Sequence, residues 1–123
     1  MDKIVRTTIS HPRSLPHHES HMKRSVEDLR AEADWLAAIG EPTRLTIIRT
    51  LAIGEKTVTE LAKACKSEVV NVSHHLGVMR AAGLVKCDRD GRFMRYSLLG
   101  ASATATELEL THPSGTRTIV PLA

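Results

Sequence analysis

Apolar residues recur at spacings of three and four from Val26 to Ile39. Val26, Leu29, Ala33, Leu36 and Ile39 fall on one stripe of a helix that Ser25 can cap and Gly40 ends. Pro42 suits the first turn of a second helix, where its missing N–H is not needed. Leu45, Ile48, Leu51 and Ala52 give that helix its buried face, and Gly54 stops it. Thr57 and Glu60 have the spacing of a capping box, which predicts a short third helix to about Cys65. Lys66-Ser67 then makes a turn, with Ser67 as cap of a fourth helix running to Ala82 and closed by Gly83. Projected at about 100° per residue, Val69, Val72, Leu76 and Met79 of this helix face the core. Val70, Asn71, His74, Gly77 and Val78 lie on the far side, with Ser73 on the flank.

The pattern then changes. Leu84 to Asp88 and Arg92 to Leu98 read as strands, and Asp90-Gly91 between them predicts a two-residue type I′ hairpin turn. Helix, turn, helix and hairpin in that order predict a mainly α fold with a β-wing, a winged helix-turn-helix, over residues 25–100. The remaining residues, 101–123, read as a C-terminal extension. Ala101 to Ala105 can hold at most a helical turn or two. Leu108 and Leu110 alternate with Glu107 and Glu109, then comes a turn at Pro113-Ser114-Gly115, then Thr116 to Val120. That is the pattern of a second β-hairpin. Residues 1–24 show no sustained period and carry Pro12, Pro16 and four histidines, so they read as a flexible tail.

Composition narrows the picture. A chain of 123 residues with one Trp, one Tyr and one Phe supports one domain with an aliphatic core. No apolar run approaches the roughly 18 residues of a membrane span, and the start does not read as a secretory signal. Two cysteines are too few for a disulfide framework, which suits the cytoplasm. The net charge of +3 is unevenly spread. Residues 25–40 are acidic, whereas Glu41 to Leu98 carries Arg44, Arg49, Lys56, Lys63, Lys66, Arg80, Lys86, Arg89, Arg92 and Arg95 against six acids. The segment with the helix-turn-helix pattern is also the basic one, as a phosphate-binding face requires.

A structural helix normally exposes Lys or Glu. The outer face of the fourth helix instead offers short polar groups, methyls and a glycine, which suits close approach to base edges. Asn71 can pair with adenine, Val70 can contact thymine methyls, and His74 and Ser73 can donate or accept. Arg89 and Arg92 flank the hairpin tip, where a wing on a phosphate backbone or in a minor groove uses them. Lys56 and Lys63, around the third helix, complete the candidate DNA-binding set.

The segments GEPTRLTIIRTL (Gly40–Leu51), TVTELAKAC (Thr57–Cys65), VSHHLGVMRAAGLV (Val72–Val85) and RDGRFMRYSL (Arg89–Leu98) together resemble the ArsR/SmtB family of winged-helix transcriptional repressors. The resemblance implies a homodimer that represses transcription at an inverted-repeat operator in double-stranded DNA and releases it when a signal reaches a sensory site. Three departures matter. Metal-sensing members often carry Cys-Val-Cys where this chain has Ala62, Lys63 and Ala64, so that thiolate site is missing. The family's long C-terminal dimerisation helix gives way here to the hairpin pattern. Relatives often place a basic residue at the position of Gly77. The first helix carries a longer apolar stripe than a small core needs, with Trp35 on its edge. The C-terminal hairpin, with Leu108, Leu110, Ile119 and Leu122, must dock on its own domain or on its twin's first helix, and a role at or beside the dimer interface in place of the missing helix is the favoured expectation.

Other chemistry is weaker. His11, His17, His18 and His21 could ligate a transition metal, but a solvated tail explains them better, and no metal or other cofactor is expected. Cys65 and Cys87 read as independent reduced thiols, with a redox pair as the alternative sensor. No nucleophile–base–orienter set and no phosphate-cradling glycine loop is present, so an enzyme is not expected. The rival from another class is a winged helix used for protein–protein contact. The basic wing and the uncharged helix face favour DNA over it.

Overall fold

The computed structural model describes Arg6–Ile9 and residues 24–122. Strand β1 is Arg6–Ile9. Helices α1 (Val26–Ile39), α2 (Pro42–Leu51), α3 (Val58–Cys65) and α4 (Val69–Ala81) follow, with the short strand β2 (Lys56–Thr57) before α3. The strands β3 (Val85–Asp90), β4 (Phe93–Leu98), β5 (Ala101–Ala103), β6 (Glu107–Thr111) and β7 (Thr116–Pro121) complete the chain. Two antiparallel sheets result: a wing of order β2-β4-β3, and a C-terminal sheet of order β1-β7-β6-β5.

The helix ends are set by local chemistry. Ser25 and Asp28 form a capping box on α1, and Glu41 caps α2 through a 2.7 Å bond from the Arg44 amide. The buried side of α1 is not the expected stripe. Trp35, Ala38 and Ile39 are buried, whereas Val26 and Leu29 are 67% and 52% exposed and Ala33 is also exposed. The regular spacing was real, but most of it lies on the face turned away from this subunit's core. In α2 it is Ile47, Ile48 and Leu51 that are buried, while Leu45 and Ala52 are half-buried.

The C-terminal extension is more than a hairpin. β6 and β7 pair as expected, from Glu107↔Pro121 to Thr111↔Arg117. Residues 101–103, however, form a strand rather than helical turns, because Ala101 and Ala103 find ladder partners in Leu110 and Leu108. The chain enters β5 through Gly100 at φ +63°, where a Cβ would stand 2.4 Å from the Thr111 carbonyl oxygen. Only glycine fits there. Part of the expected tail is also ordered: Arg6–Ile9 lies along the free edge of β7, Thr7 opposite Thr118. The edge of β7 supplies unpaired backbone groups that a β-branched Thr-Thr-Ile run can use. Arg24, the last residue of that expected tail, is also described and pairs with Glu32 at 3.2 Å; the others lie outside the described residues.

Of the two docking partners open to the hairpin, its own domain is the one its buried leucines use. Leu108, Leu110 and Val120 are buried in one cluster with Trp35, Ile47, Leu61, Val72, Leu76 and Met79. The hairpin's apolar face is thus consumed within the subunit, and strand alternation puts Ile119 on the opposite side from Val120. Trp35 is the joint between helices and sheet, its ring 5.3 Å from the His112 imidazole. Arg49 donates from Nε to the Pro121 carbonyl at 3.0 Å, and Glu32 accepts from the Thr116 hydroxyl.

Candidate nucleic-acid interface

The two helices of the motif are joined tightly. The Thr57 side chain accepts from the Glu60 amide and Glu60 accepts from the Thr57 amide at 2.9 Å, closing the expected box. That backbone N–H is the main reason the Glu60 carboxyl is held below the usual carboxylate range. At the other end of α3, Lys66 adopts the left-handed conformation, φ +52°, and turns the chain toward α4. The cap of α4 is Glu68 rather than Ser67, and Glu68 makes no side-chain cap bond. Ser67 sits one residue too early to cap. Its hydroxyl accepts instead from Asn71 Nδ2 at 2.8 Å.

Val72, Leu76 and Met79 bury one side of α4. Val69, expected with them, is 44% exposed at the first turn. Val78, expected on the outer face, is half-buried and packs against the core. What remains outside is a patch of Val70, Asn71, Ser73, His74 and Gly77, all exposed and none formally charged at neutral pH. Its groups are partly pre-oriented. Asn71 gives one amide hydrogen to Ser67 and keeps the other, together with Oδ1, which is the donor–acceptor pair that adenine's major-groove edge requires. His74 stands edge-on to His75, ring centroids 5.8 Å apart, and stays solvent-facing while His75 is held inside.

The wing turn is offset by one residue from the expected one. Asp90 and Phe93 form the closing pair, so the two loop residues are Gly91 and Arg92. Gly91 has φ +65° and Arg92 does not share a positive φ, the pattern of a type II′ turn rather than I′. Asp-Gly by itself favours a type I′ loop at Asp90-Gly91. The ladder continuing to Asp90 moves the glycine to the first loop position.

Charge along the wing is sorted by this pairing. Asp90 accepts from Arg95 Nε at 2.8 Å and Asp88 lies 3.3 Å from Lys86 Nζ, so both wing acids are compensated. The pull of Asp90 raises the Arg95 pKa further. Arg89 reaches the Gly91 carbonyl only at 3.4 Å, and Arg92 has no hydrogen bond or ion pair among the described residues. Two guanidinium groups therefore stand uncompensated at the tip. Lys63 is exposed on α3, and Lys56 is half-buried in β2 opposite Tyr96, at the base of the wing rather than its tip.

Two other basic residues prove structural. Arg44 donates from Nε to the Ala38 carbonyl at 2.7 Å, and its Nη1 lies 3.0 Å from His75 Nδ1. It ties the end of α1 to α4, and Glu41 Oε1 stands 3.8 Å from the same His75 nitrogen. Arg49 is spent on Pro121. Composition could not separate these from groove-facing cations, although Glu41 just before Pro42 is a cap signal that could have been found. Sequence reasoning also gave no role to Phe93 and Met94, which are 54% and 39% exposed beside the tip arginines.

Among the described residues no group of three or more His, Cys, Asp and Glu side chains is placed to hold a metal. His11, His17, His18 and His21 lie outside the described residues. Cys65 and Cys87 are both free thiols and half-buried. Burial, and then the nearby Glu41 charge, push the Cys65 thiol up, away from the reactive thiolate. No described helix is long and apolar enough to cross a membrane.

Comparison with known proteins bears on the family and the fold. The model for "Bacterial regulatory protein, arsR family" matches residues 41–86, from the cap of α2 into β3. The chain is 47% identical over 66 residues to the HTH-type transcriptional regulator NmtR of Mycobacterium tuberculosis, covering 54% of this chain and 55% of NmtR. It thus spans little more than half the length of that relative. It is 32% identical over 75 residues to the HTH-type transcriptional regulator MJ1325 of Methanocaldococcus jannaschii, covering 60% of this chain and 84% of that one. Among solved structures, the homodimeric winged helix-turn-helix DNA-binding domain Mb0332 from Mycobacterium bovis superposes with a TM-score of 0.57 at 28% identity, over 63% of this chain and 74% of that one.

Proposed function

The chain belongs to the ArsR family of bacterial regulatory proteins, and from that premise we propose that it is a homodimeric repressor that binds an inverted-repeat operator in double-stranded DNA. Helix α4 lies in the major groove, where Asn71, His74, Ser73 and Val70 meet base edges. Arg89 and Arg92 at the wing, with Lys63 and Lys56 flanking, hold phosphates. The observation that carries this reading is the exposed, uncharged face of α4 set directly opposite Val72, Leu76 and Met79 on a helix-turn-helix with a cationic wing tip. A bound dimer excludes RNA polymerase from the promoter.

The second copy is expected on α1. Val26, Leu29 and Ala33 form an exposed apolar row turned away from Trp35, and small residues such as Ala33 let two helices approach closely. Two subunits joined there hold their recognition helices at a fixed spacing, which half-sites one helical turn apart require. A gel shift with the promoter of the protein's own gene, alongside sedimentation of the free protein, tests both halves. A retarded band that an unrelated duplex does not compete away, from a protein that sediments as a dimer, is the expected result. A monomer without preference for any duplex would refute it.

A further inference from the structure

The wing carries a feature that phosphate binding does not use. Phe93 is the chain's one phenylalanine, and it stands 54% exposed in the pair that closes the hairpin, farthest from the core. Trp35, by contrast, is 1% exposed and Tyr96 is half-buried. Strand alternation puts Phe93 on the wing face that carries Asp90 and Arg95. Met94, 39% exposed, sits with Arg89 on the opposite face. The tip is therefore a two-stranded ribbon with an apolar side chain on each face and Arg92 at its apex. Arg95 and Lys86 pair with Asp90 and Asp88, so among the described residues neither wing acid stands without a cation beside it.

Resting on the DNA-binding reading above, we propose that Phe93 is an apolar wedge that enters the minor groove beside Arg92 and partly unstacks one base step in each half-site. A cation alone suffices to lie on phosphates, and an exposed ring there gains nothing from water. The sugar walls of the minor groove and an opened base step are apolar and can cover it. Proteins that insert such side chains kink the duplex, with arginine alongside. The cost of opening is lowest at pyrimidine–purine steps, so the wedge makes sequence matter where no base edge is read.

The test uses the full chain and duplexes selected on it from a random pool. A fluorescent adenine analogue is placed at successive steps under the wing, and bending is read from gel mobility with the site moved along a fragment. Wild type is expected to brighten the analogue at one step per half-site, to bend the fragment, and to favour TA or CA at that step. Phe93→Ala should lose the brightening and the bend and bind roughly ten- to hundredfold more weakly, with its helical circular dichroism unchanged. Phe93→Leu, still an apolar wedge, should keep most of all three. If Phe93→Ala brightens and bends as wild type does, or if wild type itself never brightens the analogue, the wedge is overturned while the DNA-binding reading stands. If selection on wild type enriches no duplex, both fall together.

Discussion

Arg92→Ala isolates the wing's electrostatic contribution. Arg92 sits at the second loop position of the tip and has no partner among the described residues, so its charge is free to neutralise one phosphate per subunit. A dimer brings two such residues. Each phosphate neutralised on duplex DNA contributes about 0.9 to the slope of log K against log salt, so the variant's slope should be shallower by about 1.8. Over a fourfold rise in salt, wild-type binding should then weaken by about twelvefold more than the variant's. Loss of a phosphate contact should also weaken binding to operator and random duplex alike. Fluorescence anisotropy titrations at four or more salt concentrations measure this. Arg117→Ala supplies the control: it removes the same charge from the C-terminal sheet, where Arg117 already pairs with Glu109 at 3.1 Å. The reasoning fails if the Arg92 slope equals wild type's, or if Arg117→Ala flattens the slope as much.

Trp35→Ala should destabilise the fold by about 3–5 kcal/mol in urea melts, since a fully buried indole joins helices to sheet and leaves a cavity there; a loss under about 1 kcal/mol would show that the joint repacks. Truncation after Ala105 should abolish the helical circular dichroism and cooperative unfolding, not merely dissociate a dimer, because Leu108, Leu110 and Val120 are core residues. A well-folded truncated protein would contradict that. Cys65 should react with iodoacetamide far more slowly in the native protein than in denaturant near pH 8, as its thiol is pushed up by burial. The raised pKa means that the stability it contributes is present below the unfolded thiol's pKa and falls as pH rises through the folded one, a trend that Cys65→Ala should reduce and that burial of Tyr96 continues at higher pH.

The helix-turn-helix was legible because its signals are local. The Thr57–Glu60 box, Pro42 at a helix start and the buried Val72, Leu76 and Met79 row each follow from a spacing of three or four residues. The wing was legible as a hairpin but not in register, because Asp90-Gly91 is equally compatible with a loop one residue later. What stayed hidden depends on distant partners. Ala101–Ala103 has no strand propensity of its own and is a strand because β6 lies beside it. Spacing revealed that α1 is apolar on one stripe but not which way that stripe turns. Trp35 took the core, and Val26 and Leu29 were left outside. The candidate site was legible as a face on α4. The charge count of the basic segment overstated its free cations, since Arg44 and Arg49, which were not among the candidate contacts, are bound to backbone carbonyls in the fold.

The central claim is that the outer face of α4 reads bases. Its most direct test is the affinity of wild type, Asn71→Ala and His74→Ala for the selected operator and for a scrambled duplex, at one salt concentration. Each variant should lose roughly 1–3 kcal/mol on the operator and almost nothing on the scrambled duplex, with unchanged circular dichroism. Wild-type affinity and wild-type discrimination in both variants would contradict the account.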